Sequence, residues 1–169
     1  MAGKLLMARS PGRAGKALAL VAVLVLVASA CSKSSTPTTP IYNVFGQQFK
    51  FHGMPASIPS GNLQINFSNK ESFPITHEMI LKALPSGDTA QDIVDSAKVP
   101  GCEGGAECEG QFLAFGEIAG VDTGATLSNV FDLPAGEYFF ACWETGTQSG
   151  GENGPPHASK GMVFTFTVT

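Results

Sequence analysis

From Asn62 to Asn69 the chain alternates between two chemistries, with Leu63, Ile65 and Phe67 on one side and Gln64, Asn66 and Ser68 on the other. A period of two belongs to a strand with one face in a core and one in water, and a helix would scatter these residues around its axis. Met162, Phe164, Phe166 and Val168 repeat the pattern near the end of the chain, against Thr165 and Thr167. Further β-like runs over residues 42–51, 77–84, 111–115, 125–133 and 137–143 are bounded by Pro and Gly. Only residues 89–97 read as a helix, with Asp88 as its expected cap and Ile93 as its apolar anchor. Six or seven short strands separated by turns predict an all-β domain, an antiparallel sandwich or barrel.

That domain does not begin at Met1. Residues 1–16 carry Lys4, Arg9, Arg13 and Lys16 and no acid; an apolar run over 17–28 follows, and the small residues Ala28, Ser29 and Ala30 precede Cys31. A basic stretch, a short apolar stretch and a small-residue site make an export signal, and the run is shorter than the ~20 residues a spanning helix needs. Ala28-Ser29-Ala30-Cys31 resembles the lipobox of bacterial lipoproteins, in which the cysteine is lipidated and becomes the first mature residue. Residues 1–30 are then a lipoprotein signal peptide, with Ala28 standing where Leu is commonest. An ordinary secretory signal cleaved near Ala30 is the other reading, and both place the protein outside the cytoplasm. Residues 32–40 are Ser, Thr, Pro and one Lys, too poor in apolar surface to order themselves. Residues 31–40 therefore read as a lipidated cysteine and flexible linker, and residues 41–169 as one domain. The expected location is extracytoplasmic, lipid-anchored to the cell membrane of a bacterial envelope.

Removing the signal changes the charge. Four of the ten basic residues lie in it and all fourteen acids lie after it, so the mature part has six against fourteen, a net charge of −8, with no Arg. Nucleic acid is excluded as a partner, because its recognition needs a basic face; the membrane is reached through the lipid anchor instead. With Cys31 committed to lipid, Cys102 and Cys108 stand in the flexible stretch Gly101-Cys102-Glu103-Gly104-Gly105-Ala106-Glu107-Cys108, which can bend to join them as a disulfide in an oxidising compartment. Cys142 is left over. An odd cysteine outside the cytoplasm is buried and inert, paired with another chain, or a ligand.

The surroundings of Cys142 suggest a ligand. Gly136-Glu137-Tyr138-Phe139-Phe140-Ala141-Cys142 ends a strand on the thiol, and Pro156-His157-Ala158-Ser159-Lys160-Gly161-Met162 leads into the last strand. Asn69 and then Thr76-His77-Glu78-Met79-Ile80 supply a further histidine at a strand start. The pattern Gly-x-Tyr-x-x-x-Cys, a loop, then His-x4-Met resembles the cupredoxins, the blue copper proteins, over most of residues 42–169. The resemblance implies a Greek-key β-sandwich with one short helical insertion, and one type 1 copper ion held by His77, Cys142, His157 and Met162. It also implies an electron-transfer role with a redox partner protein. One feature departs from the family: fourteen residues separate Cys142 from His157, where small blue copper proteins use a few.

The chemistry suits those residue types. A soft thiolate with two imidazoles and a weak axial thioether serves both copper oxidation states. A core role for Met162 beside Phe164 and Phe166 is the competing reading of that residue, and His52, Met54 and Met79 read as structural. The alternative for the whole domain is a copper-free or copper-carrying binding module of the envelope, the copper-free form keeping Cys142 in the core and His157 on the surface. Enzyme readings find no support: Gly-x-Ser-x-Gly, His-Glu-x-x-His, a phosphate-binding Gly-rich loop and Cys-x-x-Cys are all missing from the sequence. A four-ligand site also leaves no open position for a substrate.

Overall fold

The structure is a computed structural model and describes residues 38–102, 106–146 and 154–169. The expected signal, Cys31, most of the linker and the middle of the segment between Cys142 and His157 lie outside these residues.

Two sheets pack face to face. The first has the order β2 (Lys50–His52), β1 (Ile41–Gln47), β4 (Gly61–Asn69), β7 (Thr126–Leu133); the second has β3 (Ser57–Ile58), β9 (Val163–Val168), β8 (Gly136–Ala141), β5 (Thr76–Ala83), β6 (Ala114–Asp122). Strand β4 behaves as its alternation requires: Leu63, Ile65 and Phe67 are fully buried while the residues between them are half-exposed. They meet Met79, Leu81, Phe140 and Phe166 of the second sheet in one shared core.

Strand β8 does not alternate, and Tyr138, Phe139, Phe140 and Ala141 are all buried. A second apolar layer covers the outer face of its sheet, where Phe139, Ala141 and Ile80 pack on Ile93 and Ala97 of helix α1 (Ala90–Ser96) and its end, on Cys102 and Cys108, and on Trp143 and Ala158. A strand covered on both faces is apolar throughout. Cys102 and Cys108 are joined as expected, with Cα atoms 5.6 Å apart, inside the range a disulfide spans, and Cys142 is a free, buried thiol.

The sandwich differs from the sequence expectation in five ways. The sheets are mixed: β1 runs parallel to β4, and β3 parallel to β9, each beside a strand that no hairpin joins to it. The run over residues 42–51 is two strands, divided at Gln48 and Phe49, both with positive φ (53° and 54°). Expected strand 111–115 contributes only its end, and β6 runs on to Asp122 through Gly116 and Gly120, glycines that hide its apolar pattern. Helix α1 is capped by Thr89 and not Asp88: the Thr89 hydroxyl accepts from the Asp92 amide while the Asp92 carboxylate accepts from the Thr89 amide, the reciprocal pair of a capping box. A further short helix, α2 (Ala106–Glu109), carries Cys108.

Candidate metal centre

At one end of the sandwich His77, Cys142 and His157 come together, each with no exposed surface. His77 is the second residue of β5, where its neighbours on the strand alternate and its own side chain turns inward. Cys142 follows β8 directly. His157 opens a 3-10 turn (His157–Lys160) that Gly161, in the left-handed region at φ 97°, ends. Met162 follows, buried, just before β9.

The long segment before His157 does not loosen this arrangement, because its two ends are tied to each other. The His157 amide donates to the Glu144 carbonyl at 2.8 Å and the Ala158 amide to the Cys142 carbonyl at 2.7 Å. The Cys142 amide donates to the Met162 carbonyl at 3.2 Å. Backbone pairing thus continues the β8–β9 hairpin past the end of the sheet, and the inserted residues leave and rejoin at adjacent points.

Three donor atoms converge. The Nδ1 atoms of His77 and His157 are 3.1 Å apart, and the Cys142 Sγ lies 3.7 Å from the first and 3.3 Å from the second. The outward nitrogens decide what the inward ones carry. His77 Nε2 faces the Glu71 carboxylate at 3.1 Å and His157 Nε2 faces the Gly146 carbonyl at 2.7 Å. Both partners only accept, so each Nε2 bears the proton, and a neutral imidazole then has a bare lone pair at Nδ1. Burial pulls the His157 pKa down to about 4, and burial lowers that of His77 against the opposing pull of Glu71. Both rings are therefore neutral at pH 7. Two lone pairs 3.1 Å apart repel unless a proton or a cation sits between them.

The thiol is tuned by opposing effects. Burial pushes the Cys142 pKa well above its ordinary value, while the backbone amides of Glu78 and Glu144 pull it back; the Glu78 amide stands 3.4 Å from Sγ. The Glu78 carboxylate accepts from the Trp143 amide at 2.8 Å, and burial raises its pKa to about 7.

Two further contacts shape the pocket. Phe49 sets its ring edge-on to both imidazoles, with centroids 4.9 Å from His157 and 5.8 Å from His77, and Lys160 places its ammonium 4.3 Å from the Phe49 ring centre. Below, Gly46 of β1 brings bare backbone against the site. A Cβ there would stand 2.8 Å from the terminal methyl of Met162 and 3.2 Å from His77 Cδ2, so the end of Met162 lies beside His77.

No family model matches the sequence, and no curated protein matches it either. Solved structures do match. A structure of auracyanin B aligns at 22% identity with a TM-score of 0.51, covering 79% of this chain and 93% of the other. Auracyanin A, described as a "blue" copper protein from the green thermophilic photosynthetic bacterium Chloroflexus aurantiacus, aligns at 17% identity and a TM-score of 0.53, over 78% of this chain and all (100%) of its own. Dithionite-reduced auracyanin from the photosynthetic bacterium Roseiflexus castenholzii aligns at 16% identity and a TM-score of 0.50, over 78% and 98%. The chain has the cupredoxin fold.

Within this cupredoxin-fold domain the four residues expected at the metal are neighbours at one end of the sandwich. The copper-free alternative placed His157 on the surface, and there the structure differs: His157 is buried with its Nδ1 toward Cys142, because the backbone bonds to Cys142 and Glu144 draw the turn inward. His52 stays apart, exposed and stacked on Phe45. Asn69 ends β4 ahead of His77 as expected and ties down the loop that follows, donating to the carbonyls of Ile75 (2.7 Å) and Val121 (2.9 Å) and accepting from the Glu71 amide (3.1 Å). Sequence reasoning missed Glu71 and Phe49. Each stands alone in the sequence; the loop after β4 brings Glu71 to His77, and the turn after β1 brings Phe49.

Proposed function

We propose that the domain is a one-electron carrier whose His77, Cys142 and His157 would hold a single type 1 copper ion, with Met162 as a fourth, weaker ligand. The observation that carries this reading is the set of inward-facing donors: two bare imidazole lone pairs and a thiol sulfur within 3.1 to 3.7 Å of one another. Metal–imidazole bonds of about 2.0–2.1 Å and metal–thiolate bonds of about 2.3 Å put ligand atoms around one ion roughly 3.3–3.8 Å apart, close to the spacing found here. The mixture of thiolate, imidazole and thioether is the one that suits copper in two oxidation states. Copper held there supplies a Cu(I)/Cu(II) couple.

The chain's own residues supply the rest. Strands β5 and β8 fix His77 and Cys142, the backbone bonds across the insert fix His157, and the outer partners Glu71 and Gly146 keep both rings turned with Nδ1 inward. The amide of Glu78 steadies negative charge on sulfur. Phe49, Phe67 and Met162 exclude water. With the rings neutral, only the Cys142 proton has to leave when metal enters. Voltammetry of the copper-loaded domain tests the redox role: a reversible one-electron wave is expected, whereas tightly bound copper with no reversible wave would make the protein a copper carrier or store. All proposed ligand positions are filled by protein, which favours a carrier over an enzyme.

We also propose that Cys31 carries lipid and tethers the domain to the outside of a bacterial membrane through residues 32–40. Three features support it: the basic and apolar segments before Cys31, the small residues next to it, and the Ser/Thr/Pro composition after it. In Cys31→Ser the lipid is lost, and the domain is released or stays on an uncleaved signal, still folded. Wild-type protein recovered unlipidated and freely soluble would contradict this.

A further inference from the structure

The Glu71 carboxylate is nearly inaccessible, its side chain 2% exposed, and among the described residues its only side-chain partner is the His77 ring. Burying a carboxylate is costly unless donors surround it, and three do. His77 Nε2 lies 3.1 Å and the Phe49 amide 3.0 Å from Oε1, and the Gln48 amide also donates to the carboxylate. The last two come from the turn in which Gln48 and Phe49 both adopt positive φ. That conformation belongs to glycine and asparagine, and for residues of this bulk it is strained. The strained turn points two consecutive amides at Glu71, the arrangement that binds anions. The same turn delivers Phe49 onto both imidazoles.

A backbone carbonyl or a water would serve to orient His77. The chain instead places a full negative charge one hydrogen bond from the ring and bends its backbone to keep it there. We propose, building on the copper reading above, that Glu71 is a positioning residue that sets the balance between the two copper oxidation states. Its carboxylate makes His77 a stronger donor and favours the more highly charged oxidised ion. Outer partners of metal-bound histidines contribute about 10–100-fold to metal affinity. Here the contribution falls mainly on Cu(II), whose additional charge the carboxylate faces. The His157 side is built differently, with a neutral carbonyl at Gly146, so the carboxylate is hydrogen-bonded to one ligand only.

Glu71→Gln tests this, because glutamine keeps the size and one acceptor for His77 or Phe49 while removing the charge. The copper-loaded variant is expected to stay coloured and to lose about tenfold or more in Cu(II) affinity relative to Cu(I), raising the reduction potential by about 59 mV per tenfold for a one-electron couple. Glu71→Asp separates charge from contact: the shorter side chain keeps the charge near the site, so its potential should lie between those of wild type and Glu71→Gln. Nitrogen NMR of the metal-free protein gives a second reading, in which His77 is protonated at Nε2 in wild type and becomes a mixture of tautomers in Glu71→Gln. A wild type that binds copper while Glu71→Gln keeps the same potential and tautomer overturns this inference alone. A wild type that binds no copper overturns it together with the electron-carrier reading.

Discussion

Replacing Cys142 by Ser abolishes the intense visible absorption of the copper-loaded domain and lowers copper affinity by more than about 100-fold, beyond what the loss of an outer-shell partner costs. The sulfur is the only soft anionic donor in the cluster, and a hydroxyl is both harder and far less acidic, so it does not become an anion at neutral pH. The metal-free variant nevertheless stays folded. Its hydroxyl can donate to the bare Nδ1 of His157, which faces the Cys142 sulfur at 3.3 Å, so stability changes by only about 1 kcal/mol. Thermal unfolding of the two metal-free proteins and their copper-loaded spectra make the distinction. Lost colour with a near-unchanged unfolding temperature supports a ligand role, whereas a large fall in stability with no copper bound to either protein would make Cys142 a core residue.

Gly46→Ala is expected to disturb the opposite side of the site. The new methyl would meet the Met162 terminal methyl at 2.8 Å and also His77 Cδ2 and Phe67 Cζ, each at 3.2 Å. The end of Met162 is flexible and yields first, while the ring atoms of His77 and Phe67 belong to fully buried side chains with little room to move. Overpacking of this kind costs about 1–3 kcal/mol. The displacement of Met162 should weaken its contact with the metal, so copper remains but the potential and visible spectrum shift. Met162→Leu, which removes the thioether while roughly keeping volume, should shift the potential in the same direction with a smaller loss of stability. Unchanged spectra and potentials in both variants would return Met162 to a packing role.

The sandwich was legible in the chain wherever one face of a strand meets water. Strand β4 could be read residue by residue, and the same alternation marked β9. Alternation disappears where tertiary structure covers both faces, and it breaks where glycine interrupts the pattern. The run 137–143 still read as a strand, although Tyr138 to Ala141 are uniformly apolar: Phe139 and Ala141 lie under α1 and the Cys102–Cys108 bridge while Tyr138 and Phe140 face the core between the sheets, and β6 hides behind Gly116 and Gly120. The parallel pairing of β1 with β4 is a long-range choice that no local pattern announces. For the site, ligand identities could be proposed because Cys142, His157 and Met162 follow one another along a single hairpin. Glu71 could not, since an isolated glutamate after a strand usually faces solvent, and its burial depends on a turn 22 residues earlier.

The central claim is that His77, Cys142 and His157 form one copper site. Titration of the reduced, metal-free mature domain with copper, followed by its visible spectrum, tests it most directly. An intense band that grows in proportion to added metal and stops at one copper per protein is the expected result. A colourless protein at saturating copper, or one holding less than a stoichiometric amount, would contradict it.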